Sequence, residues 1–127
     1  MVVDGTDLSF GVRNFSSSPS MNNVTATATA TGGTNSYGVY NELSSPSMNN
    51  VTATATGGTT NYGVDNEASS SPSIRNSSIT GTTNSIHNNG STAKVADTVL
   101  DVAVGGDGYT CVGVYTTAFA TLGPACV

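Results

Sequence analysis

Ser18-Pro-Ser-Met-Asn-Asn-Val-Thr-Ala-Thr-Ala-Thr29 returns without a single substitution as Ser45-Pro-Ser-Met-Asn-Asn-Val-Thr-Ala-Thr-Ala-Thr56, 27 positions later. A weaker third copy is Ser71-Pro-Ser-Ile-Arg-Asn-Ser-Ser-Ile-Thr-Gly-Thr82. A second module alternates with the first: Phe10-Gly-Val-Arg-Asn14, Tyr37-Gly-Val-Tyr-Asn41, Tyr62-Gly-Val-Asp-Asn66 and a degenerate Ser85-Ile-His-Asn88, with a last appearance at Val112-Gly-Val-Tyr115. The period is 22–27 residues. Repeats of that length are one supersecondary unit each and bury their apolar face only by stacking on a neighbour.

The local pattern selects strands. Val24, Ala26 and Ala28 alternate with Thr25, Thr27 and Thr29, the period of two that one buried face imposes. Thr and Val are poor helix formers, and Gly-Gly or Ser-Pro interrupts each run within ten residues. Ser-Pro fits one corner because proline fixes φ and cannot donate to a ladder. Gly32-Gly33 and Gly57-Gly58 fit another, where positive φ costs glycine little. Stacking like on like puts Met21, Met48 and Ile74 in one interior column, and Val39, Val64 and Ile86 in a second. Asn23, Asn50 and Asn76 align at one turn and Asn41, Asn66 and Asn88 at another, two candidate asparagine ladders bonding along the axis. The expectation is a single all-β domain over residues 1–127, a right-handed parallel β-helix (β-solenoid) of about five coils. Residues 111–127 form its closing segment. A bridge between Cys111 and Cys126 would close a loop of about 15 residues and favour an oxidising compartment.

The Ser-Pro-Ser-Met-Asn-Asn-Val-Thr-Ala-Thr-Ala-Thr-Gly-Gly and Tyr-Gly-Val-Tyr-Asn patterns resemble bacterial right-handed parallel β-helix repeat proteins of the pectate-lyase-like superfold. The tail from Lys94 through Cys111, Phe119, Leu122 and Cys126 resembles the closing segment of such proteins. The resemblance spans nearly the whole chain from Phe10. It implies secretion or surface display and supplies no specific activity.

Composition removes several functional classes. Thr, Ser, Asn and Gly make up 65 of 127 residues, whereas charged residues are 9%, so hydroxyls and amides carry the surface polarity. Three basic against eight acidic residues leave a net charge of -5, wrong for a phosphate-neutralising nucleic-acid binder. No apolar run approaches the roughly 20 residues of a membrane span. The first residues show neither a basic nor an apolar signal region. No catalytic constellation stands out. Arg13, Arg75, Lys94 and His87 fall in separate coils; Arg75 reads as a solvated turn position, and His87 as an exposed variable one where other copies have Arg13, Tyr40 and Asp65. No Gly-x-Ser-x-Gly elbow is present. Glu42 and Glu67 are equivalent positions, with Asp65 nearby, so a hard cation such as Ca2+ is conceivable there, against two carboxylates that splay into water. Asp4, Asp7, Asp97, Asp101 and Asp107 are scattered, and no cofactor is expected. Asn-x-Ser/Thr at Asn14, Asn23, Asn50, Asn76 and Asn89 is close to chance in a chain this rich in hydroxyls.

Three non-enzymatic readings follow. The leading one is an extracellular or cell-surface structural solenoid that self-associates head to tail, because an uncapped β edge templates another and the chain begins in mid-coil; a tail folded over the last coil would block that end. The second is an ice-binding face of outward Thr25, Thr52 and Ser78, then Thr27, Thr54 and Thr80, then Thr29, Thr56 and Thr82, with about 4.8 Å between coils. The third is a polysaccharide-binding adhesin module using Tyr37, Tyr40, Tyr62 and Tyr115. An outward tyrosine row favours this reading and an inward one removes it.

Overall fold

Parallel strands, coil upon coil, make up the computed structural model, which describes residues 2–5 as strand backbone and residues 7–127. The side chain of Asp4 lies outside the described residues. The strands are β1 (Val2–Gly5), β2 (Leu8–Phe15), β3 (Ser20–Asn22), β4 (Thr25–Ala30), β5 (Asn35–Glu42), β6 (Ser47–Asn49), β7 (Thr52–Thr56) and β8 (Thr60–Glu67). They continue as β9 (Ser73–Arg75), β10 (Ser78–Gly81), β11 (Asn84–Asn89), β12 (Ala93–Ala96), β13 (Val99–Leu100), β14 (Tyr109–Val112) and β15 (Tyr115–Thr116). Successive strands visit three sheets in turn, ordered β1-β4-β7-β10-β13-β15, β2-β5-β8-β11 and β3-β6-β9-β12-β14. Their named pairings are parallel. The fold is therefore a three-faced β-solenoid of about four turns, one fewer than the repeat count suggests.

The register explains the difference. Thr25 pairs with Thr52, Thr52 with Ser78, Ser78 with Val99 and Val99 with Tyr115, steps of 27, 26, 21 and 16 residues. The solenoid tapers, and its shortest step falls below the 22-residue limit read from the sequence. The last turn keeps only an isolated bridge, His87 to Gly105, on the second sheet. Val112-Gly-Val-Tyr115 accordingly does not stack on the Tyr-Gly-Val modules. It spans β14 and β15, with Val112 over Ala96 and Tyr115 over Val99.

The core is thin and columnar. Met21, Met48, Ile74, Val95 and Cys111 stack along one side, and Val39, Val64 and Ile86 along another, all buried. A third column, Ala26, Ala53, Ile79 and Leu100, gains volume toward the C-terminus as the coils shorten. Its two alanines face glycines. A Cβ on Gly38 would stand 2.5 Å from Gly63 O and 2.9 Å from Thr54 N, so the first sheet lies directly on the second through backbone contact. Only a residue without a side chain permits that approach.

Polar side chains inside the coil form series along the axis, with only the Ser36 hydroxyl lacking a partner among the buried side-chain atoms of the described residues. Asn14 Nδ2 donates to Asn41 Oδ1 (2.8 Å), Asn41 to Asn66 (2.9 Å), Asn66 to Asn88 (2.8 Å), and Asn88 Nδ2 to the Asp107 carbonyl (2.8 Å). All four asparagines are buried. A hydroxyl series runs beside it, with the amides of Ser17, Ser44 and Ser70 donating to Ser44, Ser70 and Ser91 Oγ. Asn23, Asn50 and Asn76 behave differently from an interior ladder. They are exposed, with φ of 55°, 53° and 48°, and Asp97 and Gly113 continue the same corner at 46° and 61°. Asn50 Nδ2 reaches Asn23 Oδ1, but Asn76 Nδ2 turns to Asn49. Asparagine, aspartate and glycine share this column because they tolerate left-handed backbone.

The C-terminal end is covered. Cys111 and Cys126 are bridged, with Cα atoms 5.5 Å apart. The Cys111 amide donates to Pro124 O, the Leu122 amide to Val114 O and the Thr116 amide to Ala120 O. On the second sheet, Asn88 N donates to Gly105 O and Gly105 N to Ile86 O. The tail thus caps β14 and β15, and residues 103–107 cap β11.

Two substitutions probe this arrangement in urea denaturation. Gly38→Ala is expected to lose roughly 3 kcal/mol, the upper end of overpacking costs, because the clash is with backbone. Asn66→Ala is expected to cost at least about 2 kcal/mol, because it strands the Asn41 donor and the Asn88 acceptor inside the coil.

Candidate ligand-binding face

The outward side of the second sheet carries the chemistry. The Tyr-Gly-Val module breaks strict alternation: the glycine and valine both turn inward, so the residues on either side of the pair both project outward. Beside an outer column of Leu8, Asn35 and Thr60, three further outward columns result. Phe10, Tyr37 and Tyr62 are in register, as are Arg13, Tyr40, Asp65 and His87, and as are Phe15, Glu42, Glu67 and Asn89.

The first two columns interlock. Phe10 stacks on Tyr37 with ring centres 5.3 Å apart, and Tyr37 meets Tyr62 at 6.0 Å. Tyr40 packs edge-on against both Phe10 (5.3 Å) and Tyr37 (5.2 Å). The Arg13 guanidinium lies 5.6–5.7 Å from the ring centres of Phe10, Phe15 and Tyr40. Ring pairs of this kind contribute about 0.5–1.5 kcal/mol each beyond burial, so the aromatic face is largely preorganised. Leu8, Phe10, Arg13, Asn35, Tyr37 and Tyr40 line a shallow cleft of about 270 Å3. Leu8 and Phe15, at its margins, are about half exposed.

The far end of the face is polar and tightly held. His87 stacks on Tyr62 at 4.4 Å, and its Nδ1 is hydrogen-bonded to Asp65 Oδ1 at 2.7 Å. Asp65 is 2% exposed. Asn89 Nδ2 donates to Glu67 Oε2 at 2.7 Å, whereas Glu42 is drawn the other way, to Arg13 at 3.3 Å. Glu42 and Glu67 are register neighbours, but the acidic grouping that forms is Asp65 and Glu67 with His87, not Glu42 with Glu67. The expectation that His87 is an exposed variable residue is also corrected, since it is partly buried and doubly restrained.

Burial pushes the Asp65 carboxyl up to about 6; the hydrogen bond and charge of His87 pull against that rise, and Glu67 adds to it. Burial likewise pushes the Tyr37 phenol up to about 12, and raises Tyr40 and Tyr62, with nearby carboxylates adding to the effect. The three phenols are therefore neutral hydrogen-bonding groups at physiological pH.

The other candidate positions lie elsewhere. Thr25, Thr52 and Ser78 form one outward column of the first sheet, and Thr27, Thr54 and Thr80 the next. Thr29 pairs with Thr56, but Thr82 leaves the plane: β10 ends at Gly81, and the Thr82 hydroxyl accepts a bond from Asn61 Nδ2 at 2.7 Å. Val99 and Tyr115 then replace hydroxyls in the first column. Tyr115 is on this sheet, stacked on Phe119 at 6.1 Å, rather than with the other tyrosines.

Local sequence pattern does not mark Phe10, Arg13 and Phe15 as members of this face, nor the Asp65–His87 pair. Their signal was present in the repeat register, where one position reads Arg, Tyr, Asp, His down the stack. Variation there reflects a graded surface, aromatic and cationic at one end and acidic at the other. Fold and face together define a parallel β-solenoid with an outward face that is aromatic at one end and acidic at the other. Comparison of the chain with family models, with curated proteins and with solved structures gives no match.

The raised Asp65 has a stability consequence. Between the ordinary carboxylate range and about pH 6 the folded chain holds this proton and the unfolded chain does not. The contribution is therefore full below about pH 4 and is lost as pH rises through about 6. Urea titrations in EDTA should show wild type losing on the order of 3 kcal/mol relative to Asp65→Asn across that window. A flat difference would remove the assignment.

Proposed function

We propose that this chain is a non-catalytic extracellular polysaccharide-binding solenoid that engages its ligand along the outward face of β2, β5, β8 and β11. The observation that carries the reading is the Phe10–Tyr37–Tyr62 column, set outward beside Tyr40. Aromatic side chains with a polar tip offer apolar contact to the C–H faces of a sugar and a hydroxyl to its oxygens. Asn35, Thr60, Asn84 and Glu42 surround them on the same face, supplying both donors and acceptors. Columns that run along the solenoid axis suit an extended chain better than a compact small molecule.

A disulfide favours an oxidising compartment. No helix among the described residues is long and apolar enough to cross a membrane. The repeat, together with the parallel solenoid, supports kinship with the non-enzymatic pectate-lyase-like repeat proteins. Head-to-tail self-association finds less support, because stacking on the C-terminal end would have to displace the bonds of the tail and of residues 103–107. Ice binding is weakened by the loss of Thr82 and by Val99 and Tyr115 in the hydroxyl lattice.

Affinity electrophoresis in gels containing xylan, mixed-linkage β-glucan, hydroxyethylcellulose, polygalacturonate or alginate tests the reading. Retardation by at least one polymer is expected, with Tyr37→Ala and Tyr62→Ala each weakening it about tenfold or more. Electron microscopy on the same sample should show single particles. Free migration in every gel would overturn the reading, and long filaments without polysaccharide would restore the self-associating one.

A further inference from the structure

The polar end of the face holds three side chains whose donor atoms converge. One ligand atom each from Asp65, Glu67 and His87 lies within 4.8 Å of the other two. Two adjacent coils bring them together. Asp65 and Glu67 are two residues apart on β8 and so project from the same face, while His87 on β11 is the register partner of Asp65.

We propose that Asp65, Glu67 and His87 form a binding site for a divalent transition-metal ion of the Zn2+ type. The donor set selects the class. Ca2+ takes six to eight oxygen ligands, and Mg2+ keeps a largely aqueous octahedron, so neither is suited by an imidazole nitrogen. One nitrogen and two carboxylate oxygens suit Zn2+ and its neighbours, and three protein ligands leave a position open for water or an external oxygen donor.

The second argument is preorganisation. The His87 ring is clamped against Tyr62, Glu67 is oriented by Asn89, and Asp65 is held almost wholly out of solvent beside the imidazole. Exposed carboxylates that merely share a surface have no such supports. A bound ion would replace the proton that His87 Nδ1 and Asp65 Oδ1 share at 2.7 Å. Bonds of about 2.0–2.1 Å in tetrahedral geometry place two ligand atoms about 3.3 Å apart, so the pair opens by well under 1 Å. Arg13 stands two coils from Asp65 and pairs with Glu42, so its guanidinium does not occupy this cluster.

The inference does not rest on polysaccharide binding, and its test uses the metal alone. His87 is the only histidine in the chain, so its imidazole 15N resonances report on this site without overlap. The full chain, stripped with EDTA and dialysed, is titrated with Zn2+ by calorimetry and NMR, with Ca2+ and Mg2+ in parallel. One Zn2+ per chain is expected, with displacement of the imidazole signals. His87→Gln and Glu67→Gln should each weaken binding at least tenfold, while Asp101→Asn, in the bend just after β13, should leave it unchanged. Circular dichroism establishes that the surface variants keep the solenoid. Absence of Zn2+ binding, imidazole signals unmoved at saturation, or full affinity in both variants would overturn the site. Equal binding of Ca2+ at the same residues would overturn the assignment of metal class.

Discussion

Each coil depends on the parallel hydrogen-bond ladder that joins it to the next, and this ladder places every side chain above its counterpart one repeat away. Such stacking tolerates only residues that get on well with themselves. Valine, methionine and isoleucine pack on their own kind, and asparagine is the polar side chain that donates and accepts in a single line. The Asn14–Asn41–Asn66–Asn88 series uses this, with each amide giving a proton to the next and the last to the Asp107 carbonyl. Serine hydroxyls at the neighbouring corner serve the backbone amides of the coil below in the same manner. An interior poor in large apolar groups thereby leaves few polar ones stranded, the Ser36 hydroxyl being the exception among the described residues.

The thinness of the coil follows from the same economy of volume. With Gly11 facing Ala26 and Gly38 facing Ala53, two sheets meet almost backbone to backbone. As the steps contract from 27 to 16 residues, Ile79 and Leu100 fill space that earlier coils close by direct contact. The taper ends in the Cys111–Cys126 tail, which takes the last edge amides.

Aromatic and charged side chains gather on one face because an inward pair, Gly-Val in β2, β5 and β8 and Ser85-Ile86 in β11, brings two outward residues close together in each copy. Where both are aromatic the face is a packed platform; where the second becomes Asp65 and then His87, it becomes a hydrogen-bonded acidic site. The gradient from Arg13 to His87 runs along the axis over four coils. An extended ligand and a metal ion would thus occupy different lengths of one surface.

Much of the architecture is legible in the sequence. Two identical twelve-residue segments and a second alternating module determine a parallel solenoid, the Met/Ile and Val/Ile columns, and the Asn41–Asn66–Asn88 alignment, because stacking puts like on like. What only the tertiary structure decided is where register and identity part company. Asn23, Asn50 and Asn76 are as regular in the sequence as the interior asparagines, yet their column includes Asp97 and Gly113 and is defined by positive φ rather than burial. Val112-Gly-Val-Tyr115 mimics one module while occupying the place of the other, because pairing follows the hydrogen-bond ladder and not the letters. The Asp65–His87 contact likewise depends on a 22-residue step between unlike residues, which no local pattern announces. Repetition specifies the stack; the lengths of the turns between strands decide which unlike side chains meet.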